Sequence, residues 1–507
     1  MKMLSRVFSG TTLGLDGILI EVEVDVAERG FPGFTIVGLP DKSVDEAKER
    51  VRAAIINCNF KMPDTRLTVN LAPADIPKIG SGFDLPIAIG ILAASGLIKK
   101  DELNQSLFLG ELSLEGKIRQ VPGVLPIVLM AKKKKITNIF IPVDNAKEAS
   151  LVDDINIFPV EKLSDLVLHL NNEIKINLFE RTEINFNEPT DYEFLFENIK
   201  GQLIAKRGCE IAAAGFHNIL FKGPPGTGKT LLSKAFASIL PPMEKEEILE
   251  VTKIYSVAGL LKTSFYINKR TFRSPHHTIS RIGLVGGGTN PTPGEISLAH
   301  RGVLFLDEVA EFPRSVLEAL RQPLEDGKIT ISRVQGSLTF PSRFLLIAAS
   351  NPCPCGYLGH PKKPCRCSPG AILKYKKRLS GPFLDRIDLH IDVLPIEESD
   401  LIKNMPVETS EDIRKRVIAA REIQKQRFKG LKILTNAEMT PAEVKKFCQL
   451  DKEAVSLLKE AINKLSLSAR SYFKTIKIAQ TIADLQGKTI IESSFIAEAL
   501  QFRSHDE

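Results

Sequence analysis

The sequence predicts an α/β protein in three parts: an α+β domain, a parallel sheet wrapped by helices, and a helical C-terminal region. Three observations carry this. Strand-like and helix-like patterns alternate from the N-terminus to about residue 170. Four short apolar runs, at 218–222, 303–306, 344–349 and 389–393, read as strands buried on both faces, which points to a parallel sheet covered by helices. Beyond about residue 400 the pattern is almost wholly helical.

The chain of 507 residues has room for three or four domains. With 43% hydrophobic and 25% charged residues it is neither disordered nor a disulfide scaffold. Its longest uncharged apolar run, Leu85 to Ile98, is shorter than the roughly 18 to 20 residues a spanning helix needs, so a buried helix and no membrane segment are expected. No signal peptide is expected, because the N-terminus lacks a long apolar stretch and a small-residue cleavage site. A net charge of +7 among 129 charged residues excludes a global polyanion binder but allows a local basic face. The seven cysteines suit a reducing, cytoplasmic location, and four of them crowd into residues 353–367.

The first part spans residues 1–170. Ile20, Val22, Val24 and Val26 alternate with Glu21, Glu23 and Asp25, a half-buried strand. Helices are expected at 44–58 and 85–97, and strands at 66–71 and 139–142. Lys132 to Lys135 reads as a solvated helix end. Residues 171–190, rich in Asn, Glu and Thr, form a linker. The second part runs over 191–397, with a cysteine-rich insertion at 353–367, and the helical part over 398–507. There Thr440, Pro441 and Glu443 set an N-cap, an N1 proline and a capping-box acid, and Gly487 closes the helix containing Ile476 and Ile482.

Gly223, Pro224, Pro225, Gly226, Thr227, Gly228, Lys229 and Thr230 match G-x-x-x-x-G-K-[ST] between a strand and a helix expected at 231–240. In such a loop, backbone N–H groups and the helix N-terminus cradle phosphate. Lys229 reaches the β- and γ-phosphates of ATP, and Thr230 offers its hydroxyl to Mg²⁺. The strand 303–306 ends in Asp307 and Glu308: Asp307 would hold Mg²⁺ and Glu308 would polarise an attacking water. Asn351, at the tip of the strand beside the phosphate loop, can orient that water.

Together these residues resemble the AAA+ ATPases. The runs Arg273-Ser-Pro-His-His-Thr-Ile-Ser280, Gly286-Gly-Gly288, Pro293 to His300, Gly381 to Asp388 and Leu467 to Tyr472 are similar to magnesium-chelatase-like proteins of the YifB/ComM type, over nearly the whole chain. The resemblance implies an AAA+ parallel sheet with a helical lid. It implies that Arg386 is an arginine finger serving a neighbouring subunit, worth roughly 10³ to 10⁵ in rate, and that Arg470 is the sensor-2 arginine on the γ-phosphate. It also implies a homo-oligomer, a hexameric ring. Lys328 to Phe340 reads as a hairpin, which in this clade projects into the ring pore, where Arg333 would contact DNA phosphate. Residues 286–294 resemble a second pore loop of the clade.

Cys353, Cys355, Cys365 and Cys367 form C-x-C, nine residues, C-x-C. Four thiolates suit tetrahedral Zn²⁺, although the spacing is not that of the common zinc ribbon, and free thiols remain the alternative. Between Tyr357 and Leu384 stand seven Lys or Arg and no acidic residue, a face for nucleic acid or for solvent.

Asn70 to Asp75, Gly80 to Pro86 and Phe108 to Gly116 resemble the proteolytic domain of the Lon family, a ribosomal S5 domain 2-like fold. The position of the Lon serine falls at about Gly82 and that of the Lon lysine near Ile127, so an inactive domain is expected. The family points to an ATP-hydrolysing motor on single-stranded and branched DNA, a branch-migration helicase that promotes recombination in natural transformation. The alternatives are a chelatase-type or protein-remodelling ATPase, an ATP-dependent protease, and an ATP-gated DNA clamp. His276 and His277 receive no role.

Overall fold

The computed structural model describes residues 4–99, 103–181, 192–261, 265–288, 291–333, 336–395, 408–465 and 467–503. The expected linker is described only as far as residue 181, and the expected start of the lid at 398 lies outside the described residues. The chain clusters into two compact units. One comprises Met1–Phe186, Glu244–Ile267 and Val334–Thr339; the other comprises Asn187–Met243, Asn268–Arg333 and Phe340–Glu507.

The first unit is built on a seven-stranded mixed sheet. Its strands are β1 (Leu4–Leu13), β2 (Asp16–Val26), β3 (Gly33–Val37), β4 (Arg66–Ala72), β5 (Ser106–Phe108), β6 (Asn138–Pro142) and β7 (Asn156–Val160), in the order β3-β4-β2-β1-β5-β6-β7. Alternation in β2 works as the sequence demands: Ile20, Val22, Val24 and Val26 are buried while Asp25 is exposed. The apolar run becomes the helix Asp84–Ala94, buried along its whole length. Gly90 sits there because a Cβ would stand 2.6 Å from Val24 Cγ2, so only glycine lets the helix lie this close to β2. The helix Lys245–Val257, distant in sequence, belongs to this unit. Its Ser256 hydroxyl donates to the buried Glu148 carboxylate, which also accepts from Leu125 N at 2.9 Å. Burial pushes the Glu148 carboxyl up.

The second unit holds a five-stranded, all-parallel sheet: β8 (Ile219–Lys222), β9 (Phe272–Arg273), β10 (Val303–Leu306), β13 (Leu345–Ser350) and β14 (Leu389–Asp392), in the order β9-β10-β13-β8-β14. Two further strands are β11 (Lys328–Arg333), in this unit, and β12 (Gly336–Pro341), of which Gly336–Thr339 belong to the first. Alternate residues of the main strands enter two different cores. Ile219, Phe221, Phe305 and Ile347 face one; Leu220, Leu304, Leu306 and Leu346 face the other. Both faces are covered, so three of the strands read as continuous apolar runs. The fourth expected run, β14, is an edge strand with Asp392 exposed, so it is not buried on both faces. The other edge, β9, is too short to show in a hydropathy pattern.

The C-terminal helices share the first of these cores. Ile413, Val417, Ile476, Ile482 and Phe495 pack in it with Ile211 and Ala213 of the helix Leu203–Gly215. The capping box forms at Thr440 and Glu443, and Gly487, at φ 67°, follows the helix Ala469–Leu485 in the left-handed conformation of a helix stop. The helix after the phosphate loop is shorter than expected: Lys229–Ala235, tightening to a 3₁₀ turn at Phe236–Ile239.

Candidate functional site

Gly223 leaves β8 where a Cβ would lie 2.1 Å from the Val393 carbonyl oxygen, so the close approach of β14 demands glycine. Gly226 and Gly228 take φ of 80° and 92°, which only glycine adopts freely, and Gly228 caps the helix Lys229–Ala235. The loop therefore folds back over its own lysine. Lys229 is 8% exposed. Its ammonium donates to Gly223 O at 2.6 Å, Pro224 O at 2.7 Å and Asn351 Oδ1 at 3.3 Å. Burial lowers its pKa, while Asp307 and Glu308 work in the opposite direction. The Thr227 hydroxyl closes the loop onto Pro224 O at 3.0 Å.

Register brings the other groups to the same sheet edge. β13 lies between β8 and β10, pairing Ser350 with Lys222 and Ala348 with Leu306. Asn351 therefore follows β13 beside the phosphate loop, and Asp307 and Glu308 follow β10 one strand further on. The Thr230 hydroxyl donates to Asp307 Oδ2 at 2.8 Å. This hydroxyl–carboxylate pair is a hard-oxygen donor set that fits Mg²⁺. Glu308 sits at φ 49°, a left-handed conformation that costs a non-glycine residue about 1–2 kcal/mol. Its N–H donates to Asp307 Oδ1 at 2.9 Å, and its side chain is exposed. A cavity of about 340 Å³ opens here, lined by Gly223, Pro224, Asn351, Leu358 and Tyr375 among others.

Arg386 and Arg470 are elsewhere. Arg386 precedes β14, and its carbonyl accepts from Asn218 Nδ2 at 3.0 Å, one residue before β8. Since β14 and β8 are parallel, Arg386 lies at the edge where β8 begins and Gly223 at the edge where it ends. Four strand residues, about 13 Å, separate the two edges. Both arginines converge on one carboxylate: Glu325 Oε1 accepts from Arg386 Nη2 at 2.6 Å and from Arg470 Nη2 at 2.7 Å. Burial pushes Glu325 up, but the two guanidiniums outweigh it and hold the carboxyl below its usual range. The trio borders a cavity of about 680 Å³ that also takes in Lys474 and Lys477. The structure thus brings Lys229, Thr230, Asp307 and Asn351 together, and Arg386 with Arg470, at opposite edges of one sheet.

The four clustered cysteines also meet. Their sulphurs all lie within 4.8 Å of one another. Cys353 Sγ is 3.4 Å from Cys355 Sγ and 3.7 Å from Cys365 Sγ. The N–H groups of Tyr357 and Arg366 pull the Cys355 thiol down to about 6. Arg333 ends β11, and its side chain lies outside the described residues. The His276 and His277 rings lie 4.0 Å apart, tilted by 35°, with His276 Nδ1 against the Thr278 hydroxyl, and among the described residues neither hydrogen-bonds to the phosphate loop. Sequence reasoning missed Glu325, whose partner Arg470 is 145 positions away and leaves no local pattern. It also missed Gly356, which the run Cys-Pro-Cys-Gly could have flagged as a glycine turn between the two cysteine pairs.

Comparison with known proteins agrees with this architecture. Residues 195–401 match the family described as magnesium chelatase, subunit ChlI, and residues 407–503 its C-terminal part. Residues 22–145 match a family described as subunit ChlI of Mg-chelatase. The chain is 46% identical to competence protein ComM of Haemophilus influenzae, covering 99% of this chain and 97% of that protein. It is 41% identical to YifB of Escherichia coli, again over 99% and 97%. Magnesium-chelatase subunit ChlI of Pyropia yezoensis is 23% identical over 36% of this chain and 52% of its own length. Among the described residues no helix is long and apolar enough to cross a membrane. With full-length relatives on one side and this phosphate loop on the other, the chain belongs to the magnesium-chelatase-like family of the ComM and YifB type.

Proposed function

We propose that this protein hydrolyses ATP as an AAA+ ring motor on DNA, and that its work is branch migration during the uptake and recombination of DNA. The observation that carries the ATPase reading is the convergence on Lys229: its ammonium lies among the loop carbonyls and Asn351, beside the Thr230–Asp307 pair. The loop N–H groups and Lys229 would bind the phosphates. Thr230 and Asp307 would hold Mg²⁺, which neutralises phosphate charge when bound. Glu308 would orient and polarise the attacking water, with Asn351 fixing its position. Arg386 and Arg470, placed at the far edge of the sheet, would serve the site of a neighbouring copy, a hexamer being the ring expected. The full-length likeness to ComM, named for competence, supports the DNA reading.

The N-terminal unit is read as a Lon-like scaffold without protease activity. The Ser81 hydroxyl donates to the Glu111 carboxylate, Ile127 is buried in the helix Val124–Lys133, and the buried Lys78 ammonium donates to the Pro73 carbonyl. Ser81 and Lys78 thus each bond a group other than one another, and Ile127 carries no amine.

ATP hydrolysis measured without DNA, with single strands and with a four-way junction tests the function, with Glu308→Gln as control. Stimulation by DNA together with ATP-driven junction dissociation is expected. Hydrolysis indifferent to every DNA would remove the motor and favour a protein-remodelling or chelatase-type ATPase.

A further inference from the structure

The loop that carries the four cysteines is built into the wall of the nucleotide site. Cys353 comes two residues after Asn351 and is fully buried. The Gly356 N–H bonds back to Cys353 O at 2.9 Å, and Gly356 takes φ 81°. A Cβ on Gly356 would stand 2.6 Å from Pro225 Cδ, so this turn rests directly on the phosphate loop. Leu358 and Gly359 then line the same cavity as Gly223, Pro224 and Asn351. Leu358 N also donates to Cys353 Sγ at 3.4 Å, so the residue on the cavity wall is tied to a sulphur.

Within the loop the Tyr357 ring meets His360 at 5.7 Å and the Lys363 ammonium at 5.2 Å. The loop over 352–367 has little secondary structure and carries Lys362, Lys363 and Arg366 on its exposed part. Its four sulphurs nevertheless all lie within 4.8 Å of one another. Tetrahedral Zn²⁺ with thiolates at about 2.3 Å places sulphurs about 3.8 Å apart. The pairs Cys353–Cys355, Cys353–Cys365 and Cys355–Cys365 stand at 3.4, 3.7 and 3.6 Å. Cys367 N donates to Cys365 Sγ at 3.5 Å, the kind of N–H to sulphur contact that supports a thiolate ligand.

We propose that Cys353, Cys355, Cys365 and Cys367 bind one Zn²⁺, and that this ion braces the phosphate loop through the Gly356–Pro225 contact, so that metal occupancy sets nucleotide affinity. The ion ties the two ends of the loop together; without it the turn at Gly356 is free to leave Pro225, and only part of the population keeps a binding-competent loop. The inference rests on the reading of 223–230 as an ATP site.

The test uses the full-length protein, kept reduced. Zinc is counted by mass spectrometry, and binding of a fluorescent ATP analogue is titrated before and after the metal is stripped. One zinc per chain is expected, with affinity falling about tenfold on stripping and returning when zinc alone is restored. Gly356→Ala is expected to keep its zinc and still bind nucleotide more weakly, because the added methyl pushes Pro225. Lys229→Ala is expected to keep its zinc and lose the nucleotide. A chain that takes up no zinc overturns the proposal. So does a stripped protein, or a Gly356→Ala variant, whose affinity equals the wild type's. If stripping unfolds the chain, Gly356→Ala alone decides. Zinc-loaded wild type that binds no nucleotide overturns the ATP-site reading itself, and the brace with it.

Discussion

In the proposed ATPase, Lys229 would serve binding and Glu308 chemistry, and their variants should separate the two. Lys229→Ala removes the one cation buried in the loop, so nucleotide binding should be lost. Glu308→Gln keeps shape and hydrogen bonding but no longer polarises water, so it should bind the nucleotide normally and hydrolyse it about 10² to 10⁴ times more slowly. Equilibrium binding beside steady-state turnover checks both. Asp388 is a structural counterpart. Burial alone would raise its carboxyl; His217, Lys474 and Lys477 outweigh that and hold it at about 2. Because the native value lies below the unfolded one, its contribution is present above about pH 4 and disappears as pH falls toward 2, to a total of about 2 kcal/mol. Urea unfolding of wild type and Asp388→Asn should therefore differ at neutral pH and converge through that acid window. The phosphate loop was legible in the sequence because its chemistry is contiguous: eight residues with a strand before and a helix after. Glu325 was not, because its role exists only where three distant segments meet.

At the scale of elements, the C-terminal helices are joined by polar as well as apolar contacts. Asp484, fully buried near the end of the helix Ala469–Leu485, accepts from Arg427 Nη1 at 2.8 Å, Asn436 Nδ2 at 2.8 Å and Gln480 Nε2 at 3.0 Å. Asp484→Ala would leave Arg427 buried without its counter-charge and should cost about 3–5 kcal/mol in chemical denaturation. Thr440→Ala removes only one half of a capping box at an exposed helix start and should cost about 1 kcal/mol. The capping box was readable because it spans four residues with fixed offsets. The edge strands were harder. β14 read as buried on both faces because its apolar residues are real, but Asp392 at its end is exposed, and its outer edge meets only the Phe502 carbonyl, which accepts from His390 N at 2.7 Å, among the described backbone bonds. The placement of Lys245–Val257 with the N-terminal unit has no sequence signal, since an amphipathic helix does not name the surface it will cover.

At the scale of the whole molecule, the two edges of the parallel sheet carry different parts of the proposed ATPase. Lys229→Ala and Arg386→Ala proteins should each be inactive alone. Mixed one to one, they should regain turnover, because about a quarter of random interfaces pair an intact loop with an intact arginine. Turnover that stays at zero in verified mixed oligomers would mean that Arg386 serves no neighbour. In the proposed ring, Glu325, which both arginines share here, would yield them when a nucleotide arrives next door.

The opposite placement of loop and arginines also gives every chain a front and a back. A two-fold dimer would complete a site only where a single interface took in both the loop and the arginines, each meeting its counterpart across the axis. In the proposed ring, successive copies would follow one another in the same sense, giving it a direction around that reflects the parallel run of five short strands.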